Sequence, residues 1–382
     1  MRILLINSEY PPIGGGAGNA SRNLARCLAA LGHEVLVLTS RFADLPREEV
    51  QDGVTVVRIP ALRRRQDRSG AAEQLAFIAA ASVRAPGLVR RFKPEATLAF
   101  FGVPSGAAAW LLNVLYRIPY VVSLRGGDVP GFRPYDFKTY HRLIGPFLRV
   151  IWHGAAAVVA NSKGLHALAC AFDPAMEIPI IPNGVDAGRF EPGPRDWSRA
   201  RLLSVGRVVH QKGLDLGLRA LAGLKDLDWE WRIAGDGPQM EPLRSLAQEL
   251  GIASRVIFLG WQGSQDLLRW YHEATLFLFP SRHEGMPNAV LEAMASGLPV
   301  VATRIAGNEE LVVEGVTGRL VPPEDVESLR DVLRPSLADA ASRERMGNAA
   351  RLRVKEEYSW ESSARQYALL MEAAIRTTDE RR

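Results

Sequence analysis

The chain has 382 residues, more than one compact core usually holds, so two domains are expected. Hydrophobic residues make up 47% and mean hydropathy is -0.03, an ordinary globular composition, and the longest apolar runs, such as Ala155 to Ala160, are too short to span a bilayer. Two cysteines, Cys27 and Cys170, exclude a disulfide framework or zinc site and fit a reducing cytoplasm, both reading as small core residues. The net charge of +5 is uneven: residues 1–180 hold 21 Lys and Arg against 13 Asp and Glu, the remainder 26 against 29. A basic half points to an anionic partner, namely a membrane surface, a phosphorylated lipid or a nucleic acid. No zinc spacing, aromatic-studded basic strand or helix-turn-helix is readable, so nucleic acid is the weakest of the three.

The N-terminal MRILLIN runs straight into polar SEYPP, which reads as a strand and not a signal peptide. Strand-like runs follow at Val35–Leu38, Val54–Ile59, Ala96–Phe100, Tyr120–Ser123, Ala157–Val159 and Ile178–Ile181, with helical stretches such as Asn19–Leu31 and Gly106–Leu115 between them. EPGPRDWS, Glu191 to Ser198, has two prolines, a glycine and no periodicity, and reads as a linker. The pattern then restarts. Strands are expected at Leu202–Val205, Trp229–Ala234, Val256–Leu259, Leu276–Phe279 and Val300–Ala302. Helices are expected at Leu214–Leu224, Met240–Leu250, Gln265–Tyr271 and Asn288–Ala295, with polar helices around Glu344–Glu356 and Glu361–Ile375. The fold class is therefore α/β, two doubly wound Rossmann-like domains facing a cleft, with ligand-binding loops at the carboxyl ends of the strands.

Three stretches carry chemistry. After the first strand comes SEYPPIGGGAGN, where Gly14, Gly15 and Gly16 let backbone approach a ligand at a helix start. The G-x-G-x-x-G dinucleotide pattern is not met, and the second strand ends in Thr39 and Ser40 where an acid would be needed, so a phosphate- or sugar-facing loop is favoured over a plain turn. The second half opens with LLSVGRVVHQKGLDLG. Arg207 and Lys212 each flank a glycine at a strand–helix junction, where together they can neutralise a diphosphate, whereas a basic pair elsewhere is usually a solvated face.

The third stretch is SRHEGMPNAVLEAMASGLPVVAT, with Glu284 in a loop and Glu292 about a turn into an otherwise apolar helix. Pro287 suits the first helical position, leaving the amides of Asn288 and Ala289 with the positive end of the helix dipole. A carboxylate accepts two hydrogen bonds and so matches neighbouring sugar hydroxyls. One glutamate per sugar, with phosphates between them on amides and on Arg207 and Lys212, describes a nucleotide sugar. Asp226-Leu227-Asp228 has the spacing of a metal-binding pair, but it precedes a strand and reads as a surface turn.

These stretches resemble the retaining glycosyltransferases of the GT-B fold, family 4, the glycosyl transferases group 1 class. Glu284 and Glu292 match the family's E-x7-E motif, GRVVHQKG its phosphate site, PPIGGGAGNA its glycine loop and IPNGVD (Ile181–Asp186) its end-of-first-domain signature. GNEELV and GVTGRLVPPED extend the likeness over nearly the whole chain. The resemblance implies an acceptor-side domain at 1–190, the linker at 191–198, a nucleotide-sugar domain at 199–360 and a C-terminal helix at 361–382 that crosses back. It implies Arg207 and Lys212 on the diphosphate, Glu292 on the ribose hydroxyls and Glu284 on the donor sugar. Amides of Gly285, Met286, Pro287 and Asn288 fall around sugar and phosphate (Pro287 itself has no N–H), with Gly15 and Gly16 on the first-domain side. Where many members have a histidine before a glycine and an acid, this chain reads SLRGGDVPG: Arg125 replaces the histidine, open to a sugar or acceptor contact, and Asp128 fills the acid's place as a catalytic candidate.

Also implied are a UDP- or GDP-sugar donor used as co-substrate, no cofactor, no metal and a glycan or lipid-linked acceptor. A GT-B-fold epimerase, a phosphorylase and a non-catalytic sugar-nucleotide sensor are the alternatives. Ala61 to Lys93 carries Arg63, Arg64, Arg65 and Arg68, then an apolar helix, then Arg84, Arg90, Arg91 and Lys93. This stretch suggests peripheral attachment to the anionic inner face of the cytoplasmic membrane, where the enzyme would build a cell-surface glycan.

Overall fold

A computed structural model of the chain describes residues 1–63, 70–132 and 134–380, without the side chains of 134–138 and 264. It divides into two compact units, Met1–Gly184 with Trp360–Arg382, and Val185–Ser359. Glu191–Ser198, expected as a linker, belongs to the second unit: Arg195 donates to the carbonyls of Gly297 (3.0 Å) and Ser296 (2.5 Å), and the Trp197 carbonyl accepts from Arg343.

In the first unit the order is β1 (Arg2–Ile6), α1 (Gly16–Ala30), β2 (Glu34–Ser40), β3 (Glu48–Gln51), β4 (Val54–Ile59), α2 (Ala71–Phe92), β5 (Ala96–Phe100), α3 (Ala107–Tyr116), β6 (Tyr120–Ser123), α4 (Pro134–Gly154), β7 (Ala157–Val159) and α5 (Lys163–Phe172). The sheet order is β3-β4-β2-β1-β5-β6-β7, parallel except for the β3–β4 pair. β1 and β5 are apolar at nearly every position because helices cover both faces. The short apolar run Ile178–Ile181 is no strand: Pro179 and Pro182 have no amide to donate, and only Ile180 bridges, to Ala160.

The second unit runs β8 (Ala200–Val205), α6 (Leu214–Ala222), β9 (Trp229–Ala234), α7 (Met240–Glu249), β10 (Val256–Gly260), α8 (Ser264–Glu273), β11 (Leu276–Phe279), α9 (Asn288–Ala295), β12 (Val300–Thr303), α10 (Ala306–Leu311), β13 (Gly318–Val321), α11 (Val326–Ala338) and α12 (Ala340–Glu357). Its sheet is parallel throughout, in the order β10-β9-β8-β11-β12-β13. The chain order reverses between β8 and β11, so the loops leaving these two strands flank the switch point of the sheet, where such folds bind ligands. The last helix, α13 (Trp360–Glu380), packs on α1 in the first unit, burying Trp360, Tyr367 and Met371.

Candidate functional site

The loop after β8 begins at Gly206 (φ +145) and ends at Gly213 (φ +60), a left-handed position closed to most side chains. Space forbids one too, since a Cβ on Gly213 would lie 2.0 Å from the carbonyl oxygen of Pro280. This close approach seats the β8 loop against the β11 loop. Arg282 fastens the two together: its buried guanidinium donates to the His210 carbonyl (2.7 Å), to both oxygens of Asp215 (2.8 and 2.9 Å) and to Glu324 (2.5 Å). These acids hold the Arg282 pKa above its ordinary value. Gln211 adds a bond to the His283 carbonyl (2.6 Å).

The seating brings Lys212 and Glu284 together, Nζ to Oε1 at 2.6 Å, with the ammonium 4.8 Å from the centre of the Phe279 ring. The ion pair was not legible in the sequence, which gave the two groups separate roles. A pocket beside them is lined by Val205, Gly206, Arg207, Lys212, Phe279 and Pro280, with Arg207 exposed at its edge. Pro287 stands at the N-cap of α9 and not in its first turn: with ψ 108 it is extended, and its carbonyl accepts from Val290 (3.1 Å) and Leu291 (3.3 Å). No side chain caps α9. Gly307 of α10 comes so near that a Cβ there would lie 2.3 Å from the Gly285 carbonyl oxygen, which fixes the loop from the other side, and Met286 is buried beneath it.

Glu292 accepts a hydrogen bond from the Tyr271 hydroxyl, 2.9 Å from Oε2. Burial raises its pKa to about 7, against the pull of Tyr271 and the charge of Arg189. Burial also raises Tyr271 well above its ordinary value. Sequence reasoning missed Tyr271. The available signal was its place three and four residues after Leu268 and Leu267 on the apolar side of α8, where a tyrosine carried into the core needs a polar partner.

In the first unit, Gly15 is the N-cap of α1 with open space around its Cα, and Gly16 opens the helix. Asp128 is buried and receives three main-chain amides, those of Gly102 (2.9 Å), Arg125 (3.0 Å) and Gly126 (3.0 Å), so its carboxylate ties the loops after β5 and β6 together. Burial raises its pKa while these amides oppose the rise. Arg125 lies 4.0 Å over the Phe100 ring and donates to Asn183 (2.6 Å). Asp226 of the D-x-D is held by Arg334 at 2.6 Å, and no cluster of three potential metal ligands occurs among the described residues.

The family model "Glycosyl transferase 4-like domain" matches residues 15–184, and "Glycosyl transferases group 1" matches 190–353. Sulfoquinovosyl transferase SQD2 of Arabidopsis thaliana is 30% identical over 363 residues, 91% of this chain and 68% of that one. The sucrose-phosphate synthase structure from Thermosynechococcus elongatus superposes with a TM-score of 0.86 at 23% identity, covering 99% of this chain and 100% of that one, a likeness of fold. This chain belongs to the glycosyltransferases of the GT-B fold. A GDP-mannose-dependent alpha-mannosyltransferase of Corynebacterium glutamicum is 28% identical over 386 residues, 95% of this glycosyltransferase and 86% of that one. The epimerase, phosphorylase and sensor readings find no support in these matches.

Proposed function

We propose that this glycosyltransferase is a retaining, family 4 enzyme that moves a hexosyl group from a UDP- or GDP-sugar to a glycan or lipid-linked acceptor. The Lys212–Glu284 pair at the switch point of the second sheet carries the reading, because it sets a cation for phosphate beside an acid for sugar hydroxyls. The mannosyltransferase relative, named for a GDP-sugar, supports a nucleotide-sugar donor. In this reading Arg207 and Lys212 hold the diphosphate, Glu292 accepts from the ribose hydroxyls and Glu284 from those of the transferred sugar. Amides of the loop from Gly285 to Asn288 serve sugar and phosphate, and the Gly15–Gly16 turn offers backbone to the donor.

The bond between the anomeric carbon and the diphosphate oxygen breaks as the acceptor hydroxyl oxygen attacks from the same face, and the hydroxyl proton passes to the departing diphosphate oxygen. Negative charge gathers on the departing diphosphate, where Arg207 and Lys212 stabilise it and supply the positive charge that a divalent metal would otherwise bring. Asp128 and Arg125 act on the first unit's loops, Asp128 by fixing them and Arg125 by presenting a cation to sugar or acceptor. The basic balance of residues 1–180 fits an acceptor at the anionic inner face of the cytoplasmic membrane, in cell-surface polysaccharide or glycolipid synthesis. No helix among the described residues is long and apolar enough to cross a membrane.

The test is release of nucleoside diphosphate from UDP- and GDP-sugars, with and without lipid and glycan fractions, and NMR of the product's anomeric configuration. Acceptor-dependent release that Lys212→Ala abolishes is expected. Inverted product would overturn retention, and release indifferent to Lys212→Ala would overturn the site.

A further inference from the structure

The first unit's sheet is covered on one face by α2, α3 and α4, with α3 packed against both neighbours. Their inner sides supply Phe77, Ala81, Leu112, Leu148 and Trp152 to the core. Their outer sides are apolar as well. Leu143 (76% exposed), Phe147 and Val150 recur at the three- and four-residue spacing of one helical stripe on α4, with Pro146 among them. Val114 and Leu115 stand exposed at the end of α3, and Trp110 meets Phe147 edge-on at 6.0 Å, joining the two rows. α2 adds Leu75 and Val83, the latter 80% exposed.

Cations frame this surface: Arg142 and Arg149 on α4, Arg117 after α3, and Arg84, Arg90 and Lys93 on and after α2, all exposed. Among the described side chains of α3 and α4 there is no acid. The nearby acids are otherwise engaged, Glu73 by the Gly70 amide and Asp173 by His153 and Arg149. The cluster that the sequence marked for this role is partly spent elsewhere. The Arg63 side chain is buried against Glu9 (3.5 Å), Arg91 pairs with Glu48 (2.8 Å), and Arg64, Arg65 and Arg68 lie outside the described residues.

We infer that the outer surface of α2, α3 and α4 is a docking face for an anionic lipid leaflet. Leu143, Phe147, Val150, Val114 and Leu115 enter the headgroup boundary, and Arg117 and Arg142 meet lipid phosphates. Exposed apolar side chains beside cations, with no acid among the described side chains of α3 and α4, are signals whose combination holds a protein reversibly on anionic lipid. A neutral protein partner would have no need of the cations, and a second copy of this face would bring like charges together. The assignment rests on the proposed action at a membrane surface and names the part of the chain that meets it.

The test is sedimentation of the full chain with phosphatidylcholine vesicles and with vesicles containing phosphatidylglycerol, at low and raised salt. Wild type should bind the anionic vesicles, and less so at raised salt. Leu143→Glu/Phe147→Glu should reduce that binding about tenfold with the melting temperature retained, while Val316→Glu, an exposed apolar position of the second unit, should not. Arg117→Gln/Arg142→Gln, which leaves the apolar packing intact, should lower binding and flatten its salt dependence, and it decides the matter if the glutamate variant unfolds. Equal binding by wild type and both variants would overturn the face while leaving the membrane reading in place. Wild type that ignores anionic vesicles at low salt would remove both. Self-association that the glutamate variant abolishes would assign the face to a second copy.

Discussion

Lys212 and Glu284 lie 72 residues apart in sequence and 2.6 Å apart in space, each with only a small fraction of its side chain exposed. The two loops that carry them leave neighbouring strands, β8 and β11, so the pair is a property of strand order. It also means that a phosphate reaching Lys212 competes with Glu284 for one ammonium.

Lys212→Ala should therefore leave Glu284 without its cation and cost about 1–3 kcal/mol of stability. Lys212→Ala/Glu284→Ala should recover part of that loss in urea unfolding. Binding of nucleoside diphosphate should weaken in Lys212→Ala and in Arg207→Ala. In Glu284→Ala it should hold or strengthen, while turnover falls. Additive stabilities would show that the pair is not coupled.

Glu292 gives a pH dependence of definite sign. Its folded pKa, about 7, lies above the ordinary 4.5, so folding favours the protonated form. The stability associated with that proton is complete below pH 4.5 and is lost as pH rises through about 7. Glu292→Gln should thus leave stability unchanged at low pH and raise it by up to about 3 kcal/mol above neutrality. Nucleoside diphosphate should bind wild type more tightly as pH rises through about 7, since the ionised carboxylate accepts from both ribose hydroxyls. Tyr271→Phe removes a hydrogen bond that lowers this pKa and should move the binding midpoint upward. Calorimetric titration across that range reads the shift.

Gly213→Ala and Gly15→Ala should separate. The first forces a Cβ into the Pro280 carbonyl at positive φ and should cost at least about 2 kcal/mol. At Gly15 the backbone φ is negative (-125) and the added methyl meets no atom within 4 Å, so the melting temperature should barely move. Weakened donor binding in Gly15→Ala, at unchanged stability, is the expected mark of a ligand lying against that turn. Unchanged binding would take Gly15 out of the donor site.

Arg282→Ala should loosen both loops, because one buried guanidinium serves the His210 carbonyl, Asp215 and Glu324. A stability loss of about 2–3 kcal/mol is expected, with weaker nucleoside diphosphate binding, although Arg282 is assigned no contact with the donor. Arg282→Lys should rescue little, since a point charge cannot span three partners. Full binding in either variant would show that the loops hold their shape without the clamp.

The sequence by itself determined most of the scaffold. β5, β6, β7, β9, β11 and α9 were legible to the residue, as apolar runs or a helix bounded by glycine, proline or polar turns. The candidate site residues of the second unit also stood out, because Glu292 on an apolar helix and glycines beside Arg207 and Lys212 depart from local packing preferences. The edge strand β3 was not, since EEVQ carries no apolar pattern and its pairing with β4 is a main-chain matter. Nor were the partners. That Lys212 meets Glu284, that Tyr271 meets Glu292 and that Arg63 folds inward onto Glu9 depend on which strands and loops become neighbours. Local composition sets which elements form, through hydrophobic burial along one face at a time. Only the tertiary structure decided which charges share a desolvated space, and there the strength of an electrostatic contact and the pKa of an acid are fixed.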